Sequence, residues 1–106
     1  MTQAMTHVQI DFAFNGSAAD YTRLAEHVAP HIASVPGLIW KVWLIDETRG
    51  RAGGAYLFAN DAAATTYLEG PGIVQLRNNP AVRDVSIRRF DVLAAPSVIT
   101  HAVRAA

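Results

Sequence analysis

The sequence predicts an α+β fold in which one four-stranded sheet of order β-α-β-β-α-β carries two helices on a single face. Three observations lead there. Val8, Ile10, Phe12 and Phe14 alternate with Gln9, Asp11 and Ala13, which is the period of a strand with one apolar face. Tyr21, Leu24, Ala25, Val28 and Ile32 then recur at spacings of three and four, which is one stripe of an amphipathic helix. Residues 36–58, PGLIWKVWLIDETRGRAGGAYLF, read as two strands about a polar, glycine-containing turn.

Each element has its local reason. Asn15-Gly16 turns the chain after the first strand, and Ser17 is placed to cap the helix that runs from Ala18 to about Ser34. Pro30 lies inside that helix and predicts a kink or an early end, since proline removes a donor and crowds the preceding turn. Pro36-Gly37 separates the helix from Leu38 to Ile45, a run apolar except at Lys41 that suits a strand covered on both faces. Alternation puts Trp40, Val42 and Leu44 on one side, with Ile39, Lys41 and Trp43 on the other. Asp46 to Gly54 is the solvated loop, and Ala55 to Phe58 returns with Tyr56 and Phe58 sharing a face. Asn60 or Asp61 caps a second helix through AAATTYLE that presents Ala63, Ala64, Tyr67 and Leu68 and stops at Gly70-Pro71-Gly72. Ile73 to Arg77 adds one turn. Val85 to Val92 alternates as a fourth strand, and Ser97 to Ala106 is a tail of weak helical pattern. The arrangement is ferredoxin-like, with parallel and antiparallel pairings expected in one sheet. Two helices cover only one side of four strands, so the other side is expected to pack on a second copy, making a dimeric α+β barrel.

Composition narrows the function. The 106 residues support one domain, expected to span 1–106. Half are apolar and 17% are charged, more hydrophobic surface than a small monomer needs, which again favours a homodimer. Nine basic residues balance nine acidic ones, which argues against nucleic acid or an anionic membrane as partner. With no cysteine, thiol nucleophiles and thiolate metal sites are excluded. MTQAMTHVQ has neither a basic start nor an apolar core, and no apolar run approaches the roughly 20 residues of a membrane span, so a cytoplasmic protein is the expectation.

Three blocks carry a resemblance: Phe12-Ala13-Phe14-Asn15-Gly16, then Pro36 to Trp43 (PGLIWKVW), then Ala52 to Phe58 (AGGAYLF). In order and approximate spacing they closely resemble the YdhR-like family of putative monooxygenases, over roughly Val8 to Val98. The resemblance implies the dimeric α+β barrel fold. It also implies kinship with small antibiotic-biosynthesis monooxygenases, which oxygenate polycyclic aromatics without metal, flavin or haem. The expected function is therefore a cofactor-independent monooxygenase acting on a small aromatic or quinol-type substrate. An isomerase or lyase on the same scaffold, or a non-catalytic dimer serving ligand binding or stress, are the alternatives.

Oxygenation without a cofactor needs an electron-rich substrate, a dry aromatic pocket, a group that assists deprotonation and donors for the developing anion. Asn15, Lys41 and Tyr56 are the candidate catalytic residues. Asn15 can donate to a substrate oxygen from the end of the first strand, or simply take a turn conformation before Gly16. Lys41 interrupts an apolar strand and is either a buried base of lowered pKa or a snorkelling, ion-paired surface residue. Trp40, Trp43, Tyr21 and Tyr67 are the candidate substrate-binding residues, and since the tryptophans face apart, one of them is expected to line a pocket. Arg88 and Arg89 face opposite ways, with Asp11 or Asp91 as expected ion partners. His27 and His31 share a helix face at a metal-binding spacing but lack a third ligand nearby, so no metal is expected.

Overall fold

The structure, a computed structural model, describes residues 4–103. Its elements are β1 (Thr6–Phe14), α1 (Ala18–Ala33), β2 (Leu38–Asp46), β3 (Arg51–Phe58), α2 (Asp61–Leu68), α3 (Pro71–Asn78), β4 (Val82–Asp91) and α4 (Ala94–Ile99). The strands form one sheet in the order β2-β3-β1-β4. This is the ferredoxin-like α+β fold. All three pairings are antiparallel, not the mixture expected. β3 lies between β1 and β2, so the two strands joined by α1 never meet as neighbours.

The helices begin where their side chains satisfy the first free backbone donors. Ser17 and Asp20 form a reciprocal capping box on α1, and Asn60 caps α2 by accepting from the Ala63 N–H at 2.9 Å. α1 runs on past Pro30 to Ala33, so the early end does not occur. Pro30 and Glu26 are both exposed, and water can take the carbonyl left without its donor. The second helical region is broken in two. α2 ends before Gly70, and Pro71 opens α3 at a position where a missing N–H costs nothing, giving two turns where one was expected. The tail contributes α4. Gly37 (φ +82°) makes the turn into β2, and a Cβ there would stand 2.5 Å from the Ala63 Cβ, so only glycine lets β2 start beneath α2.

Every second residue of β1, from Thr6 to Phe14, is buried beneath the helices. Val8, Ile10, Phe12, Tyr56 and Phe58 form the centre of this core with Tyr21 and Ala64. Each large apolar side chain there contributes about 1.5–3 kcal/mol of burial. β2 is an edge strand with a bulge. Leu38 pairs with Phe58 and Trp40 with Leu57, leaving Ile39 as the extra residue. Lys41, Trp43 and Ile45 therefore share the side of Tyr56, Gly54 and Ala52, while Trp40, Val42 and Leu44 share the opposite side with Leu57 and Ala55. Ile39 does not join Lys41 as strict alternation requires. It is half exposed and lies with Trp40 beside Met5 and Val98. The C-terminal segment folds over this second face, where Trp40 Nε1 donates to the Ala102 carbonyl at 3.3 Å and Leu57 is buried. The rest of the face is open: Val42, Leu44 and Phe90 are 49%, 40% and 51% exposed.

Candidate active site

A cavity of about 340 Å³ lies between the sheet and the helices. Its floor is made by Ile10 and Phe12 of β1, by Gly53, Gly54 and Tyr56 of β3, and by Lys41 and Trp43 of β2. Tyr21, Leu24, Val28 and Ile32 of α1 form one wall, and Tyr67 of α2 with Ile73 and Leu76 of α3 form the other. The hollow has its room because β3 carries a glycine, Gly54, at mid-sheet on this face. Gly54 pairs with Ile10 on one side and Trp43 on the other, and a Cβ there would stand 2.7 Å from Lys41 Cε. The lysine stem lies in the space that Gly54 leaves empty.

Lys41 is the polar group at the centre. Its cross-strand partner is Tyr56, which sets the stem beside that ring, and Trp43 follows two residues later on the same side. Nζ stands 3.2 Å from the centroid of the Trp43 ring and 4.5 Å from that of Tyr56. Two effects compete at this amine. The ring faces attract the ammonium, worth about 0.5–2 kcal/mol. Burial disfavours the charge and lowers the pKa from 10.5 to about 7, a difference of roughly 5 kcal/mol. Burial is the larger effect, so the neutral amine is abundant at neutral pH.

The phenols respond the other way. Burial, reinforced by the neighbouring Tyr67, pushes Tyr21 up to about 12, and burial raises Tyr56 and Tyr67 as well. The Tyr56 and Tyr67 hydroxyls lie 3.3 Å apart, and Tyr21 donates to the Gly53 carbonyl at 3.2 Å. The site thus holds protonated phenol donors next to an amine able to accept a proton. The Tyr56, Phe58 and Tyr67 rings pack at centroid distances of 5.3–6.0 Å, which fixes the hydroxyl pair in place.

Of the residues singled out from sequence, Lys41, Tyr56, Trp43, Tyr21 and Tyr67 meet in this cavity. Trp40 is on the other face, against the C-terminal segment. Asn15 stands outside: its side chain is exposed and its backbone N–H donates to the Ala81 carbonyl at 2.8 Å, because β1 ends at Phe14 and the chain there is already turning toward α1. The arginine pairings also differ from expectation. Arg89 binds Asp61 and Thr65 of α2, tying that helix to β4, while Asp11 pairs with Arg51 across the open face. His31 and Gln75 line the cavity and were missed as site residues. His31 stands one turn from Val28 on the α1 stripe, the signal that could have placed it. His27 does not line it. Among the described residues no group of three His, Cys, Asp or Glu side chains could hold a metal ion.

A ferredoxin-like sheet with a half-open, aromatic-walled cleft of ligand size defines a small α+β protein built around a pocket between sheet and helices. Residues 8–103 match the family model described as "Putative mono-oxygenase ydhR", and the chain belongs to that family. Similar solved structures include a point variant of SnoaB, a cofactor-independent oxygenase from Streptomyces nogalater, with TM-score 0.68 and 15% identity over 87% of this chain and 96% of that one. A monooxygenase from Streptomyces coelicolor in complex with the ligand nanaomycin D has TM-score 0.65 and 17% identity over 88% and 90% of the two chains. The heme-degrader MhuD from Mycobacterium tuberculosis, with two hemes bound, has TM-score 0.63 and 20% identity over 82% and 95%. At these identities the likeness concerns the fold. Among curated protein sequences none matches the chain. No helix among the described residues is long and apolar enough to cross a membrane.

Proposed function

We propose that the protein is a cofactor-independent monooxygenase that oxidises a small phenol-, anthrone- or quinol-type aromatic with dioxygen. The observation that carries this reading is an unpaired amine set among aromatic walls, in a chain of a mono-oxygenase family. The neutral Lys41 amine takes the acidic proton of the substrate, and the walls exclude water so that the resulting anion is not quenched. The anion passes an electron to dioxygen, and the two radicals combine at the ring carbon to give a hydroperoxide. Loss of the proton on that carbon breaks the O–O bond. One oxygen stays as a carbonyl and the other leaves as water, so an anthrone plus dioxygen gives a quinone plus water. Tyr56 and Tyr67 donate to the substrate oxygen on which charge develops. Trp43 and Tyr21 bind the ring system. Asn15 and Trp40 have no part in this pocket.

The same reading includes a homodimer in which the open sheet faces of two copies stack. Its support is the exposed apolar surface of Val42, Leu44 and Phe90, which a monomer would leave to water. Sedimentation at micromolar protein should return a dimer, and a monomer would contradict the pairing.

Oxygen consumption tests the activity. Metal-free protein is offered anthrones, hydroquinones and catechols in the presence of a chelator. Uptake matched by product formation is the expected outcome. Activity that requires added haem, with a Soret band shifted on binding, would instead move the chain toward the chemistry named for MhuD.

A further inference from the structure

Of the nine lysine and arginine residues in the chain, only Lys41 is a lysine. The four ion pairs among the described residues all use arginine, so the one primary side-chain amine is reserved for the cavity. Among the described residues the Lys41 side chain makes no ion pair or hydrogen bond. It stands over the Trp43 and Tyr56 rings with its stem in the space left by Gly54. An amine held away from carboxylates and inside apolar walls is a nucleophile rather than a charge anchor.

We propose that Lys41 captures aromatic aldehydes and ketones in this cavity as a reversible imine. The Lys41 nitrogen attacks the carbonyl carbon, and the C–N bond forms as the C=O π bond opens to a carbinolamine. A proton passes from nitrogen to oxygen, the C–O bond breaks, and the oxygen leaves as water. Amine plus carbonyl gives imine plus water, with no oxidant or reductant. The paired hydroxyls of Tyr56 and Tyr67 share the cavity with the amine and can supply and recover the proton that accompanies the departing oxygen. The aromatic walls select an aromatic carbonyl over a small polar one. This goes beyond the oxygenase reading, because it consumes no dioxygen, although both use the same neutral amine. Burial favours both, because it lowers the pKa of the amine from 10.5 toward 7, whereas an ordinary lysine at pH 7 is neutral in only roughly one molecule in three thousand.

The chain's composition makes the test direct, because the only other primary amine is the amino terminus. The protein is incubated at pH 7 with 2-naphthaldehyde and sodium cyanoborohydride, and peptide mapping assigns the trapped adduct. Lys41 should be labelled at least ~5-fold faster than the terminal α-amine, whose ordinary pKa lies near 7.7–8.0. The preference should shrink with acetaldehyde and vanish in urea. Labelling of Lys41 no faster than the amino terminus, or a preference that survives unfolding, would overturn the proposal. Trapping without oxygen uptake would sink the oxygenase reading alone, and uptake without trapping would sink this one alone.

Discussion

Replacing Lys41 with methionine should change how the stability of the protein depends on pH. The folded chain releases the Lys41 proton near pH 7, whereas in the unfolded chain it is held to 10.5. Between those values the unfolded state binds more protons, so stability rises with pH through the window and is lowest below pH 7, where the buried amine is charged. The slope is at most about 1.4 kcal/mol per pH unit. From pH 7 to about 9.5 this amounts to roughly 3 kcal/mol, and the attraction of the Trp43 and Tyr56 faces together with partial solvent access reduces it to about 1.5–2 kcal/mol. Above about pH 10 the tyrosines reverse the trend, because Tyr21, Tyr56 and Tyr67 ionise more easily when unfolded. Methionine keeps most of the stem's volume and carries no charge. Lys41→Met should therefore be more stable than the parent at pH 6, by about 1.5–2 kcal/mol, with the difference closing by pH 9.5. Urea unfolding at fixed protein concentration, at four pH values from 6 to 9.5, reads this directly. Parallel pH profiles for parent and variant would refute the buried, partnerless amine.

Three further outcomes follow from particular contacts. Tyr56→Phe removes one member of the hydroxyl pair, so thermal unfolding should show a loss of about 1 kcal/mol and turnover of an accepted substrate should fall on the order of a hundredfold; unchanged turnover would remove Tyr56 from the chemistry. Gly53→Ala should be far more damaging than Gly54→Ala, since the added Cβ would sit 2.0 Å from the Ile10 carbonyl oxygen in the first case and 2.7 Å from the movable Lys41 Cε in the second. Soluble yield and melting temperature check the order, and Gly54→Ala should fold while losing aromatic ligand binding by Trp43 fluorescence. Val42→Glu places a charge on the open sheet face and should convert a dimer to monomer by sedimentation; a persistent dimer would locate the interface elsewhere.

Period and capping chemistry made most of the fold legible in the sequence. β1 shows alternation because one face is buried and the other partly open, and α1 shows its stripe because one side lies on the sheet. What stayed hidden were effects of register and context. The bulge at Ile39 resets the alternation of β2, and nothing in LIWKVW marks it. Pro30 failed to end α1 because both it and Glu26 face outward, which propensity alone does not reveal. The split between α2 and α3 was signalled by Gly70-Pro71, but a full two-turn helix beyond it was not. In the pocket, Lys41 stood out as the break in an apolar run, and its same-face relation to Trp43 followed from period two. Its pairing with Tyr56 is a register fact and required the structure. Asn15 shows the opposite failure: its chemistry suited a site, yet it sits one residue past the end of the strand that points into the core. Gly54 read only as part of a turn, whereas its missing side chain makes room for the amine.

Oxygen uptake by metal-free protein, comparing the parent with Lys41→Met, decides whether the cavity amine carries the chemistry. Uptake with an anthrone is expected to match the quinone formed one for one, to survive chelators, and to rise with pH through about 7 as the Lys41 amine loses its proton. Lys41→Met should lower kcat/KM by ~100-fold or more while the protein remains folded. Uptake undiminished in Lys41→Met, or none with any substrate that demonstrably binds the cavity, would contradict it.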